Sequence, residues 1–282
     1  MYADLSAGAV GVRATLEEAI KLAKDAGFKG VDFDLKEAEV YGPERARELA
    51  AANGLVVGAW GLPVDVRADE AKFHDGLKAL GHWADVARKL GCGRCITWVL
   101  SGSNELQSAE NFDFLRDRFR QVGMILKDYG SRLGLEFLGP KTIRAAFKYE
   151  FIHTLPGMLE LCDAIGTGNM GVLLDCWHWH ASGGTLAEIE RMRQEQVVYV
   201  HVNDAPRGVP RDELIDNVRA LPMETGIIDL PGFLKVLHKI GYDGPVAAEP
   251  FSKVLPTLPP AEAVGIAADG LKKAWRAAGI PW

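Results

Sequence analysis

The sequence predicts a (β/α)8 TIM barrel built as one domain over residues 1–282, and three observations carry that prediction. Apolar strand-like runs and amphipathic helix-like runs alternate eight times, at a repeat of roughly 30 residues, with no linker between halves. Four of the apolar runs stop abruptly on a side chain that can bind a metal: Leu133-Gly134-Leu135 on Glu136, Met170 to Leu174 on Asp175, Val197 to Val200 on His201, and Val246-Ala247-Ala248 on Glu249. The loop after the first strand, Gly8-Ala9-Val10-Gly11, is not a G-x-G-x-x-G, so the phosphate turn of a doubly wound open sheet is absent.

Each element has a local cause. A short strand is expected near Tyr2 to Ser6, then a helix opened by Thr15, with Glu18 three residues on as in a capping box. Leu16, Ala19, Ile20 and Ala23 give that helix one apolar face, and Gly27 ends it. Gly30 to Leu35 reads as a strand, Pro43 to Gly54 as a helix with proline in its first turn, and Leu55 to Trp60 as the third strand. Helices near Glu70–Leu90, Ala109–Tyr129, Leu155–Ile165, Thr185–Gln194, Leu230–Ile240 and Ala261–Ala278 follow. Between them fall a strand Cys95–Leu100 and the four strands that end in Glu136, Asp175, His201 and Glu249. The long stretches Leu138–His153 and Asn203–Ile228 are left as loops.

Composition narrows the function. Lys and Arg number 32 against 38 Asp and Glu, a net charge of -6 with no long basic run, which disfavours a nucleic-acid partner. No apolar stretch approaches the ~18 residues that span a bilayer, so no membrane role is expected. The N-terminal residues lack a cationic segment followed by an apolar core, and the four cysteines suit a reducing compartment, so a cytoplasmic location is expected. Cys92 and Cys95 form a C-x-x-C without a second pair, at a helix-to-strand junction, and read as ordinary small residues.

In a barrel, chemistry sits at the C-terminal ends of the strands, which is where Glu136, Asp175, His201 and Glu249 fall. Singly, each is explained as a strand-end residue capping the next helix. Together, three carboxylates and one imidazole form an oxygen-rich set suited to one divalent ion, Mn²⁺ first, with Mg²⁺, Co²⁺ or Zn²⁺ as alternatives. His178, in a loop after Asp175, is either a surface histidine or a group that hydrogen-bonds a substrate oxygen or acts as an acid. Arg207 is either solvated or a contact to a substrate hydroxyl or oxyanion. Asp204 either orients His201 or lines its loop. Trp60, Trp98 and Phe137 either stack on a sugar or fill the mouth of the barrel.

These residues, together with Ala26-Gly27-Phe28-Lys29-Gly30-Val31-Asp32, Asp175-x-x-His178, His201-Val-Asn-Asp204, Gly226-Ile-Ile-Asp229 and Gly241-Tyr242-Asp243-Gly244-Pro245, resemble the xylose isomerase-like TIM-barrel superfamily, the sugar phosphate isomerase/epimerase group. The resemblance covers essentially the whole chain. In its ketose 3-epimerase branch, the positions matching Glu136, Asp175, His201 and Glu249 hold one divalent metal. The two glutamates there also act as acid and base, and the positions matching His178 and Arg207 contact substrate oxygens. The chain departs from that branch at Asn203-Asp204-Ala205-Pro206, where a Gly-Glu pair is common. The resemblance also implies a small sugar or cyclitol as substrate, and a homodimer as a common assembly.

Two reactions share this site. One is a metal-dependent isomerase or epimerase that moves a proton next to a carbonyl through an enediolate, with Glu136, Glu249 and His178 as the catalytic residues and Arg207, Trp60 and Trp98 binding substrate. The other is a lyase or dehydratase acting on a keto-sugar, keto-inositol, dehydroshikimate or 3-keto-glycoside. It shares the first step and then expels a group from the β-carbon, with His178 as the acid. A multi-zinc phosphodiesterase would need more strand-end histidines and a basic surface.

Overall fold

Runs rich in Val, Leu and Ile line up in parallel to wall a barrel in the computed structural model, which describes all 282 residues. Tyr2–Leu5 lies between Gly30–Val31 and Pro245–Ala248. The ladder continues through Val197–Val202, Met170–Asp175, Arg132–Phe137 and Arg94–Val99. Its two ends are Val56–Val57, paired with Gly30–Val31, and Trp60–Gly61, paired with Arg94–Val99. These two ends are neighbouring stretches of one segment, so that segment closes the ring.

The break between them has a physical reason. A Cβ on Gly58 would lie 2.4–2.6 Å from the carboxylate oxygens of Asp4 and Asp32, so only glycine fits against them. The next amide, Ala59 N–H, donates to Asp32 Oδ1 at 2.7 Å and is lost to the ladder.

The surrounding helices form where the periodicity places them. Leu16–Ala26 has the Thr15–Glu18 capping box, buries Leu16, Ala19, Ile20 and Ala23, and ends at Gly27 with φ 86°. Glu70–Leu90 and Leu155–Ile165 match their expected bounds. The largest buried side chains, among them Phe73, Phe119, Trp177, Phe233 and Trp275, belong to one apolar core that binds this layer to the sheet.

Beyond the broken third strand, further elements differ from expectation. The run from Gly30 is a strand only over Gly30–Val31, because the Asp34 carboxylate accepts from Lys36 N and Glu37 N and caps a helix, Leu35–Tyr41. The helix expected at Thr185–Gln194 is shorter, Leu186–Glu190. A helix not expected, Cys176–Ala181, starts immediately after Asp175, whose carboxylate caps it through Trp177 N at 2.8 Å. The Leu138–His153 segment is pinned rather than loose. Its helix Lys141–Arg144 ties to the following loops through Thr142 Oγ1 to Leu214 O and Lys141 to Asp212, and Tyr149–Glu150 pairs with Gly102–Ser103. No helix is long and apolar enough to cross a membrane.

Candidate active site at the mouth of the barrel

The ends of four neighbouring strands bring Glu136, Asp175, His201 and Glu249 together, each offering one ligand atom, all within 4.8 Å of one another. His201 Nδ1 lies 3.5 Å from Glu136 Oε1 and 3.4 Å from Glu249 Oε2. Burial pushes the Glu136 carboxyl up to about 7, and it raises Glu249 as well. Burial would lower His201, but Glu249 and then Glu136 overcome it and hold the imidazole at about 9. Burial likewise opposes Asp175, where Arg219 and then the two histidines prevail and hold the carboxyl at about 2.

Arg219 is the residue that sequence reasoning missed. Its guanidinium is buried, with Nη1 donating to Asp175 Oδ2 at 2.6 Å and to Glu249 Oε2 at 2.9 Å, and Nη2 donating to Asp216 Oδ1 at 2.9 Å. Phe251 covers it at 4.5 Å, in a left-handed backbone conformation with φ 43° that a phenylalanine rarely adopts. Arg207, by contrast, is exposed in the loop that follows His201.

The intervening chain explains how Arg219 gets there. Asp204 is fully buried, and its carboxylate accepts from Ala205 N, Thr225 N, Gly226 N and Ile228 N. Its backbone bridges Ala220. Asp204 therefore folds the loop and does not touch His201. Asn203 supports the site directly, its Nδ2 donating to Asp175 Oδ1 at 3.1 Å.

His178 stands on the short helix Cys176–Ala181, not in a loop, and is buried. Its Nδ1 accepts from Gly139 N at 3.2 Å, which leaves Nε2 as the protonated nitrogen, 3.6 Å from Asp216 Oδ1 and 3.4 Å from the Arg219 Nη2 donor. Burial, opposed by Asp175, holds its pKa at about 4, so the ring is neutral near pH 7. A cavity of about 660 Å³ opens over Glu136, His178, Arg219 and Glu249. Trp98, 56% exposed, Leu138, Ile143, Ile215 and Phe251 form its apolar wall. Trp60 is 2% exposed and lines a neighbouring cavity with Asp32, and Phe137 is in the core.

A model of the xylose isomerase-like TIM barrel matches residues 20–274. The chain belongs to that family. Among its relatives, an inosose isomerase of Halalkalibacterium halodurans is 30% identical over 71% of this chain and 68% of its own. A ketose 3-epimerase of Arthrobacter globiformis is 26% identical over 86% and 79%. A 3-dehydroshikimate dehydratase of Pseudomonas putida is 24% identical over 95% of this chain and 40% of its own. Among solved structures, a xylose isomerase domain protein of Alicyclobacillus acidocaldarius superposes with a TM-score of 0.85 at 29% identity, covering 96% of both chains. The IolI protein with a bound zinc atom superposes with a TM-score of 0.81 at 20% identity, covering 97% of this chain and 98% of that one.

The site of this xylose isomerase-like barrel fits a divalent ion on its own evidence. Glu136 Oε1 and His201 Nδ1 are buried and have no hydrogen-bond partner, a costly arrangement for two groups with nothing between them. Glu136, Asp175, His201 and Glu249 could therefore hold the ion, with three oxygens and one nitrogen as donors.

Proposed function

We propose that this chain is a divalent-metal-dependent isomerase or epimerase of a small keto-sugar or keto-cyclitol, with manganese as its metal. The observation that carries the reading is the pair of glutamates on either side of His201, Glu136 buried and Glu249 half-buried, both lining the cavity and both with raised proton affinity. A carboxylate with a pKa near 7 is matched to taking and returning a proton at neutral pH.

In this reading the metal supplies Lewis-acid chemistry, polarising the substrate carbonyl and acidifying the neighbouring C–H. One of Glu136 and Glu249, ionised, removes that proton to give an enediolate, and the other, protonated at the start, gives its own proton to the opposite face or the adjacent carbon, the two exchanging protonation states. Neutral His178 donates from Nε2 to a substrate oxygen. Arg219, rather than Arg207, supplies the cation beside the developing oxyanion. Trp98 offers a flat apolar wall to the substrate ring. The inosose isomerase and ketose 3-epimerase relatives support this chemistry.

A second reading, a lyase acting on a cyclic keto-acid or 3-keto-glycoside, draws support from the apolar wall of Trp98, Leu138, Ile143, Ile215 and Phe251, which suits a less hydroxylated substrate than a free ketose. The dehydratase relative points the same way. A neutral His178 with a pKa near 4 is a weak proton donor to a leaving group, which places the isomerase reading first.

The test is a product assay with manganese-loaded protein and a panel of ketohexoses, keto-inositol, dehydroshikimate and 3-keto-glucosides. Formation of an isomer is expected, and Glu136→Gln or Glu249→Gln should each lower its rate by about 10³-fold. Near-normal turnover in either variant ends the two-glutamate scheme, and loss of water or an aglycone moves the chain to the lyases.

A further inference from the structure

Asp216 lines the reaction cavity and has no part in the proton transfer proposed above. It lies in the loop between Leu214 and Arg219, and its side chain is 33% exposed. One half of the carboxylate is committed. Oδ1 accepts from Arg219 Nη2 at 2.9 Å and lies 3.6 Å from His178 Nε2, while the Asp216 carbonyl accepts from Arg219 Nε at 2.8 Å. Oδ2 accepts from no group of the protein and is open to solvent. The pairing with Arg219 therefore holds the carboxylate in place and leaves one oxygen to accept from whatever enters the cavity.

The cavity has no spare positive charge. Arg219 is the one Lys or Arg that lines it, and its guanidinium is engaged by Asp175 and Glu249 through Nη1 and by Asp216 through Nη2. Close to the mouth, Lys141 pairs with Asp212, and Arg144 pairs with Glu150 and donates to Gly139 O. Lys253 lines a neighbouring cavity and not this one. The donors left for a ligand are neutral: Nε2 of His178 and the amide of the exposed Asn217.

With a divalent ion held by Glu136, Asp175, His201 and Glu249, and one of the glutamates protonated, the charges of the ion and Arg219 are matched by Asp175, Asp216 and the other glutamate. A neutral ligand keeps that balance. A ligand that brings a carboxylate or a phosphate makes the site negative, and it does so beside the free Asp216 oxygen.

We propose that Asp216 sets the substrate class of this cavity as an uncharged polyol, an inference that rests on the reading above that a keto substrate binds here. Its free oxygen accepts from a substrate hydroxyl, and its charge turns away keto compounds that carry a carboxylate or a phosphate. Ketoses, keto-cyclitols and 3-keto-glycosides fit this rule; dehydroshikimate and sugar phosphates do not. Asp216 is a specificity residue and moves no proton.

Dehydroshikimate and its methyl ester share ring, carbonyl and hydroxyls and differ in charge, so this pair is the probe, beside keto-inositol and the ketohexoses. Each is titrated by calorimetry into the manganese-loaded protein. Saturable binding of keto-inositol or a ketohexose is expected, and the ester should bind about tenfold or more tightly than the acid. Asp216→Asn should weaken the uncharged polyol about tenfold, since a charged acceptor is lost, and should narrow the gap between acid and ester. Asp216→Glu, which keeps the charge, should keep the gap. Melting temperatures establish that the variants are folded, and the ratio of ester to acid in the parent protein needs no variant. An ester that binds no better than the acid, a gap unchanged by Asp216→Asn, or no saturable binding by keto-inositol and every ketohexose overturns the proposal. Binding is read apart from turnover. Product formed without proton exchange ends the isomerase reading and leaves the role of Asp216 standing; tight binding of the acid does the reverse.

Discussion

His201 sits between two carboxylates, and its state of protonation governs what the site can hold. Without a metal, Glu249 and Glu136 keep the imidazole protonated up to about pH 9. A metal needs the neutral ring, so binding must release that proton. Apparent metal affinity therefore rises with pH, by about tenfold per unit between about 7 and 9 and more steeply below about 7, where Glu136 must also lose its proton, and levels off above about 9. Manganese titrations at a series of pH values check this, and a flat profile between pH 6 and 9 would contradict it.

Deeper in the barrel, Tyr199 packs edge-on against His201, with ring centroids 5.2 Å apart. Its hydroxyl lies 2.8 Å from Asp4 Oδ2 and 2.6 Å from Asp32 Oδ2. One hydroxyl hydrogen cannot serve both oxygens, so one carboxyl carries a proton. Asp32 also accepts from Ala59 N, whereas Asp4 Oδ1 has no partner, which makes Asp4 the neutral acid. Burial and then Asp32 raise its pKa well above 3.8. A raised folded-state pKa contributes stability that is full below about pH 3.8 and is lost as pH rises. Asp4→Asn should therefore cost less than about 1 kcal/mol at pH 7, and Asp32→Asn about 2 kcal/mol, because a charge-bearing acceptor is lost. Equal losses in urea unfolding would contradict the assignment.

The four residues that could hold a metal were legible because a charged side chain closing an apolar run is conspicuous in any sequence. Arg219 was not. It lies in a loop among other arginines, and its place is fixed by Asp204, a contact between residues that no local pattern links. Arg207, nearer His201 in the chain, is exposed, whereas Arg219 pairs with Asp175 and Glu249.

At the scale of elements, the segment after Glu136 and the helix after Asp175 depend on each other. A Cβ on Gly139 would lie 2.0 Å from His178 O, and Gly139 N–H is the donor that fixes the His178 tautomer. Gly139→Ala must push the two apart. The expected result is a loss of about 1–3 kcal/mol in stability, together with a drop in kcat/KM for the active substrate. Parent-like values of both would contradict the contact.

The bounds of the long helices were readable from period and caps. The helix Cys176–Ala181 was not, since one turn rich in Trp and His has no helical signature beyond its Asp175 cap. Leu35–Tyr41 was likewise hidden, because Gly30 to Leu35 reads as apolar strand until Asp34 is recognised as a cap rather than an end.

Over the whole molecule, the barrel was the most legible feature, because eight alternating units leave few ways to bury every apolar face. The closing seam was less so: the strand around Val56–Gly61 breaks for Asp4 and Asp32, which lie far from it in sequence. The barrel brings Glu136, Asp175, His201 and Glu249 together, with Glu136 and Glu249 lining the cavity where, in the proposed reaction, a proton beside a carbonyl is removed. Solvent deuterium uptake tests it most directly. Manganese-loaded protein in D₂O is incubated with the keto-sugar and keto-cyclitol panel and followed by NMR. Deuterium at the carbon beside the carbonyl, abolished in Glu136→Gln and Glu249→Gln, is the expected result. Product formed without deuterium exchange in any substrate, or exchange that persists in both variants, would contradict it.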